Sequence, residues 1–181
     1  MYQYLKEIFP IIFLSVILLI AAIGDLRTRR IPNWLTFSTI IVGIIYHSYR
    51  NGSQGFLFSL KGVFLGFAFL MVFYFMGGMG AGDVKLMGGV GGLLGPKGVF
   101  TAFLFTALLG GIYSVVLIIS QGGFKDIVKR YRMMIKTFIL TNRMAYIPPE
   151  NREKKPVLCY GVVIALGTLL TIMRDTILLY I

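Results

Sequence analysis

The stretch that decides the fold is Gly77-Gly78-Met79-Gly80-Ala81-Gly82-Asp83-Val84-Lys85-Leu86, which lies between two long apolar segments. A carboxylate beside segments of membrane length is costly to keep, so its presence indicates a function. The surrounding glycines remove side chains near Asp83 and let another segment approach closely. A second carboxylate, Asp25, ends the first apolar segment in Ile23-Gly24-Asp25-Leu26-Arg27. The two aspartates are therefore the candidate site residues.

The composition places these aspartates in a membrane protein. The chain has 181 residues, of which 57% are hydrophobic and 14% are charged. This is too apolar for an ordinary soluble domain, and a spanning helix needs roughly 20 apolar residues. The sequence therefore predicts an all-α fold with a single transmembrane domain over residues 1–181. The apolar segments predict about six transmembrane helices, at 8–24, 34–49, 56–76, 84–94, 99–120 and 157–173.

Residues 124–146 have a different pattern. Apolar side chains recur at helical spacing, with lysines and arginines largely between them. This pattern predicts a basic amphipathic helix on the cytoplasmic membrane surface, in contact with lipid. Docking of a substrate's polar region is a second interpretation of the same segment.

The net charge of +11 indicates how the chain is oriented. Basic residues are retained on the cytoplasmic side, where they also contact anionic lipid, and this account is favoured over nucleic-acid binding. One side of the predicted topology carries thirteen basic residues: Arg27, Arg29, Arg30, Lys85, Lys125, Lys129, Arg130, Arg132, Lys136, Arg143, Arg152, Lys154 and Lys155. The other side carries five: Lys6, Arg50, Lys61, Lys97 and Arg174. The count predicts a multi-pass protein of the cytoplasmic membrane with Asp25 and Asp83 both facing the cytoplasm.

The sequence offers little support for a disulfide, a metal site or a nucleotide-binding loop. The one cysteine, Cys159, excludes an intrachain disulfide and a multi-cysteine zinc site, and it is interpreted as a small apolar helix residue. The single histidine, His47, is given no functional role. The glycine stretch is not a nucleotide-binding loop, because no Gly-Lys-Ser/Thr follows it.

Two nearby carboxylates can act together as an acid and a base. They share a proton because both cannot ionise cheaply at short distance, so one can act as base toward water and the other as acid toward a peptide carbonyl. The sequence does not fix which is which, although capping of a helix N-terminus favours Asp83 as the ionised base. Structural interpretations are also open: Asp83 as a helix cap, and Asp25 as a partner of Arg27 or Arg29.

Three segments resemble the type IV prepilin peptidases in family order. Gly80-Ala81-Gly82-Asp83 resembles the family's Gly-x-Gly-Asp motif, residues 25–33 its first aspartate motif, and residues 156–161 its C-terminal segment. The resemblance implies that Asp25 and Asp83 are catalytic, with Gly80, Gly82 and Lys85 binding substrate or supporting the site. It implies an intramembrane aspartic endopeptidase that removes the leader of prepilin-like proteins, with no metal or organic cofactor. The C-terminal segment is given no catalytic role, because Pro156 and Tyr160 are separated by three residues.

Larger members of that family carry an insertion with paired Cys-x-x-Cys motifs and also methylate the new N-terminus. With one cysteine, this chain resembles the short, peptidase-only members that process Flp/Tad pilins or preflagellins, so no N-methyltransferase activity is expected. The sequence gives no information on the oligomeric state.

Two other functions use the same features. A small ion- or proton-coupled transporter could place both aspartates along a broken helix, and a structural subunit of a secretion machine is a weaker alternative. The position of both aspartates at one face, rather than at mid-bilayer, favours the peptidase.

Overall fold

The computed structural model describes residues 2–120, 132–133 and 159–180, and its regular secondary structure there is entirely α-helical. The four helices are α1 (Tyr2–Thr28), α2 (Asn33–Phe75), α3 (Ala81–Ser120) and α4 (Tyr160–Tyr180). The predicted all-α class is confirmed. The predicted amphipathic helix at 124–146 lies outside the described residues, apart from the helical and exposed residues 132 and 133.

The chain divides into two compact units. The first comprises Met1–Gly110 and Cys159–Ile181, and the second comprises Gly111–Leu158. The packing and the site described below belong to the first unit.

Each of the four helices is long and apolar enough to cross a membrane, over Phe9–Thr28, Asn33–Phe75, Ala81–Leu117 and Tyr160–Ile177. Large apolar side chains such as Phe37, Ile41 and Ile45 point outward and are at least half exposed. Such a surface is stable against lipid and costly in water. The chain is therefore a multi-pass membrane protein.

Helix α2 is interrupted at Asn51 and Gly52, where the backbone leaves helical geometry and Gly52 takes φ 56°. The two halves fold back on each other, because the rings of His47 and Phe58 are 4.9 Å apart. In an unbroken helix these residues would be about 16 Å apart along the axis. The turn predicted over residues 50–55 is therefore shorter than expected: only Asn51 and Gly52 are non-helical.

Helix α3 is interrupted at Gly95, with φ 72°, immediately before Pro96. Phe69 in the second half of α2 stacks on Phe103 at 4.8 Å, and nearby Gly66 packs against Met87. Met87 and Phe103 would be about 24 Å apart in a straight helix, so the halves of α3 fold back as well. Within the described residues, the two interruptions divide the four helices into six helical segments.

Two side chains of α2 complete the hydrogen bonding at the α3 interruption. The Gly92 carbonyl would normally accept from residue 96, but Pro96 has no N–H; the Ser59 hydroxyl donates to it instead, at 2.7 Å. The Leu93 carbonyl lies 2.9 Å from His47 Nε2. His47, which was assigned no function from the sequence, therefore has a structural role: it satisfies a helix carbonyl freed by the interruption.

The turn between α2 and α3 is built on Gly77, which has φ 73°. The Gly78 N–H donates to the Phe73 carbonyl at 3.0 Å and the Gly77 N–H to the Tyr74 carbonyl at 2.9 Å. This pair of bonds is a Schellman motif, which requires the left-handed conformation that glycine adopts without strain. The motif ends α2 and brings the chain to Gly80, where α3 begins.

One apolar core joins all four helices. Its fully buried members include Leu14 and Leu18 of α1, Leu35 of α2, Leu86, Met87 and Val90 of α3, and Ile164 of α4. Because close-packed interiors resist displacement, this core fixes the helix ends that carry Asp25 and Asp83.

Candidate active site

Asp25 lies near the C-terminal end of α1, and its side chain is only 7% exposed. Its Oδ2 accepts a buried hydrogen bond of 2.8 Å from the Gly161 N–H in the first turn of α4. Its carbonyl accepts from the N–H of Arg29, at 2.9 Å. Arg29 has φ 53° and occupies the left-handed position that caps a helix C-terminus, where glycine is usual. The end of α1 is therefore held by two hydrogen bonds, one to the backbone carbonyl of Asp25 and one to its side chain.

Asp83 lies in the first turn of α3 and is 8% exposed. Its Oδ2 accepts from the Gly80 N–H at 2.9 Å, as the third helical residue does in a capping box. The capping role considered from the sequence is thus present. Capping alone does not require burial, so the burial of this carboxylate is a separate feature of the site.

Asp25 and Asp83 come from different helices and lie within electrostatic reach of each other. Each places one carboxylate oxygen on a backbone N–H, and each is largely withdrawn from solvent. Two carboxyl groups placed in this way can act together, one as a base and the other as an acid.

The three predicted support residues surround Asp83 in different ways. Gly80 supplies the N–H described above, and a Cβ on Gly82 would lie 3.1 Å from the Cβ of Ile31. Lys85 donates to the side-chain oxygen of Asn33 at 3.0 Å, and its Nζ lies 5.1 Å from the Phe37 ring centroid. Gly80 therefore contacts Asp83 directly, whereas the contacts of Gly82 and Lys85 join the start of α3 to Ile31 and to the start of α2 without reaching the aspartates.

The segment that precedes and opens α4 lies beside the aspartates, although it was given no functional role from the sequence. Cys159 is within electrostatic reach of both aspartates, and Tyr160 is within reach of Asp83. Gly161 donates directly to Asp25. The available signal was the resemblance of residues 156–161 to the family's C-terminal segment, to which no role was given. Among the described residues, no group of three or more His, Cys, Asp and Glu side chains is placed to hold a metal ion.

Cys159 provides a test of this geometry. Burial, followed by the negative charge of Asp25, raises the pKa of its thiol, against a smaller opposing effect of Arg29. Less thiolate is then present at neutral pH than for a free thiol, and the thiolate is the form that reacts. We expect maleimide to modify native Cys159 more slowly than glutathione at pH 7, with the rate rising about tenfold per pH unit into the alkaline range.

The control for this measurement is the same protein unfolded in SDS, which should react like a free thiol. A native rate that equals the unfolded rate and levels off below pH 8 would place Cys159 away from the aspartates.

The fold and site define a class: an all-helical, multi-pass membrane protein with two buried aspartates brought together from separate helices. The chain belongs to the type IV leader peptidase family, whose sequence model matches residues 12–115, more than half of the chain and both aspartates. The resemblance identified from the motifs is confirmed.

Two curated relatives are similar over part of their length. A prepilin leader peptidase/N-methyltransferase of Bacillus subtilis (strain 168) is 29% identical over 116 residues, covering 63% of this chain and 46% of the relative. A preflagellin peptidase of Methanocaldococcus jannaschii is 40% identical over 83 residues, covering 44% of this chain and 35% of the relative. The chain thus spans less than half the length of either relative. No solved structure matches it significantly.

Proposed function

We propose that this protein is an intramembrane aspartic endopeptidase that removes the N-terminal leader of prepilin-like or preflagellin-like proteins. The observation that carries the proposal is the juxtaposition of Asp25 and Asp83, both buried and both held by a backbone N–H. The names of the two relatives supply the substrate class. The peptidase-only form is proposed, without N-methyltransferase activity.

The proposed reaction uses the pair as one unit. The ionised carboxylate takes a proton from water, and the water oxygen attacks the scissile carbonyl carbon. The protonated carboxyl gives its proton to the carbonyl oxygen as negative charge develops there. As the tetrahedral intermediate collapses, one of its two hydroxyls returns a proton to the ionised carboxylate and becomes the carbonyl of the product acid. The C–N bond breaks, and the leaving amine takes the proton held by the other carboxyl, which restores the pair to its starting state. No cofactor takes part in these steps.

We infer a topology with six crossings, in one domain over residues 1–181. Each half of α2 and of α3 packs back on its neighbour, so each half is positioned to cross separately. Asp25 at the end of the first crossing and Asp83 at the start of the fourth then lie at the same membrane face. The excess of basic residues on that side favours the cytoplasm, with anionic lipid as its partner.

The residues around the pair have supporting roles in this proposal. Gly80 fixes one oxygen of Asp83, and Gly82 lets α3 approach Ile31 in the α1–α2 connection. Lys85 ties that connection to α3 through Asn33. An apolar substrate helix would remain in the bilayer while its polar leader reaches the pair.

The test is cleavage of a prepilin and of a preflagellin by the purified protein in detergent or lipid, followed by mass spectrometry of the products. We expect a single cut that releases the leader, with no methyl group added when S-adenosylmethionine is present. A protein that cuts neither substrate, yet carries a pH-dependent ion flux in proteoliposomes, would support the transporter instead.

A further inference from the structure

The hydrogen bond between Gly161 and Asp25 joins the last described helix to a carboxylate at the end of the first one. The distance from the Gly161 nitrogen to Asp25 Oδ2 is 2.8 Å, and the bond is buried. Breaking a buried hydrogen bond leaves its donor and acceptor unsatisfied, which is costly. The bond therefore orients the Asp25 carboxyl group and not only the helix that carries it.

Gly161 also leaves the space that Asp25 occupies. A Cβ at this position would lie 2.9 Å from Oδ2, 3.0 Å from Cβ and 3.1 Å from Cγ of Asp25. All three contacts are with the same side chain, and they are closer than real Cβ atoms ordinarily come to a neighbour. Any larger residue must push the carboxylate away from its present position or move the start of α4.

The charged and titratable groups that face this contact come from several elements. Asp83 approaches from α3, and Cys159 and Tyr160 precede Gly161 on its own segment. Arg29, after α1, acts on Cys159. Within the part of the chain that the structure describes, the hydrogen-bond donor to the Asp25 carboxylate is the Gly161 N–H and not one of these charged or titratable groups.

We propose that Gly161 is a positioning residue for Asp25: its N–H holds Oδ2, and its missing side chain leaves the room in which the carboxylate meets its partner. This inference rests on the proposed function, because positioning matters for catalysis only if Asp25 takes part in it. A segment to which the sequence assigned no role thereby becomes part of the site, acting through Asp25.

The first experiment compares Gly161→Ala with Gly110→Ala in leader cleavage. Both glycines are buried where α4 packs, but a Cβ on Gly110 would meet Val163 Cγ1 of α4 at an ordinary 3.6 Å. Displacing a catalytic group by about 1 Å costs on the order of 10²-fold in rate. We expect Gly161→Ala to lower kcat about 10- to 100-fold with KM within about twofold, and Gly110→Ala to keep the wild-type kcat per folded molecule.

The second experiment measures thermal unfolding and needs no activity. Gly161→Ala should lower the unfolding midpoint by roughly 5 °C, because the new methyl group is crowded against Asp25. In an Asp25→Ala background, which removes Oδ2 and Cγ, the same substitution should cost less than half as much. If Gly161→Ala alone does not fold, folding of the double variant supports the proposal, and failure of both variants overturns it.

Two further results would overturn the inference while leaving the proposed function intact. One is a Gly161→Ala variant with wild-type kcat; the other is an equal drop in midpoint with and without the Asp25 carboxylate. Failure of the proposed function is recognised separately, because the wild type would then cut no leader. The unfolding comparison still decides the contact in that case.

Discussion

Replacing either Asp25 or Asp83 by asparagine is expected to abolish leader cleavage, with a loss of at least about 10³-fold in kcat for each single variant. The amide keeps the shape of the side chain and an oxygen that can accept from Gly161 or Gly80. It can neither take a proton from water nor donate a carboxyl proton. The measurement is cleavage at saturating substrate, normalised to folded protein.

The double variant should be no worse than either single one, because residues that act as a unit lose their effect together. Stability should change little, because the amide keeps the shape of the side chain and the oxygen that accepts from the backbone N–H. Asp175→Asn is the matched control: Asp175 is 46% exposed on α4 and pairs with its neighbour Arg174. It should cleave like the wild type. Substantial cleavage by both Asp25→Asn and Asp83→Asn would show that the active site lies elsewhere.

Replacing Gly62 by alanine is expected to destabilise the fold by about 3 kcal/mol or more. Gly62 in α2 and Gly91 in α3 pack backbone to backbone, and a Cβ on Gly62 would meet the Gly91 carbonyl, with its carbon at 2.7 Å. Small residues allow this approach in membrane helices. Backbone atoms cannot rotate away as side chains do, so the helices must separate.

The measurement is the unfolding midpoint in detergent. Gly110→Ala is the control on α3, because its Cβ would meet Val163 Cγ1 at an ordinary 3.6 Å. Alanine favours the helix by up to about 1 kcal/mol over glycine, so this variant should be equal to or more stable than wild type. A Gly62→Ala variant as stable as Gly110→Ala would show that the two helices do not approach as described.

The helices could be predicted because their signals are local. Membrane-length apolar segments specify helices through their own backbone hydrogen bonds. Asn51-Gly52 and Gly95-Pro96 mark interruptions by their residue types, since glycine permits positive φ and proline removes an N–H. The fold-back contacts at these interruptions were not predictable in detail, and the role of His47 depends on a carbonyl far away in sequence.

The site was predicted in part for the same reason. A carboxylate at the end of an apolar segment is conspicuous in the sequence, and Asp25 and Asp83 could both be singled out. Gly161 could not, because a glycine opening a helix is common and its contact with Asp25 spans most of the chain. The direction of Lys85, toward Asn33 rather than the aspartates, is likewise set by how α3 lies on α2.

The membrane class, the helical segments, their interruptions and the two aspartates follow from the sequence, since hydropathy, backbone preference and residue chemistry are properties of short stretches. The tertiary structure was needed to show that Asp25 and Asp83 lie within electrostatic reach of each other, that each is withdrawn from solvent onto a backbone N–H, and that Gly161 lies against Asp25. These are contacts between separate helices. They follow from the packing of the common core and the close approach of glycines, which no single stretch specifies.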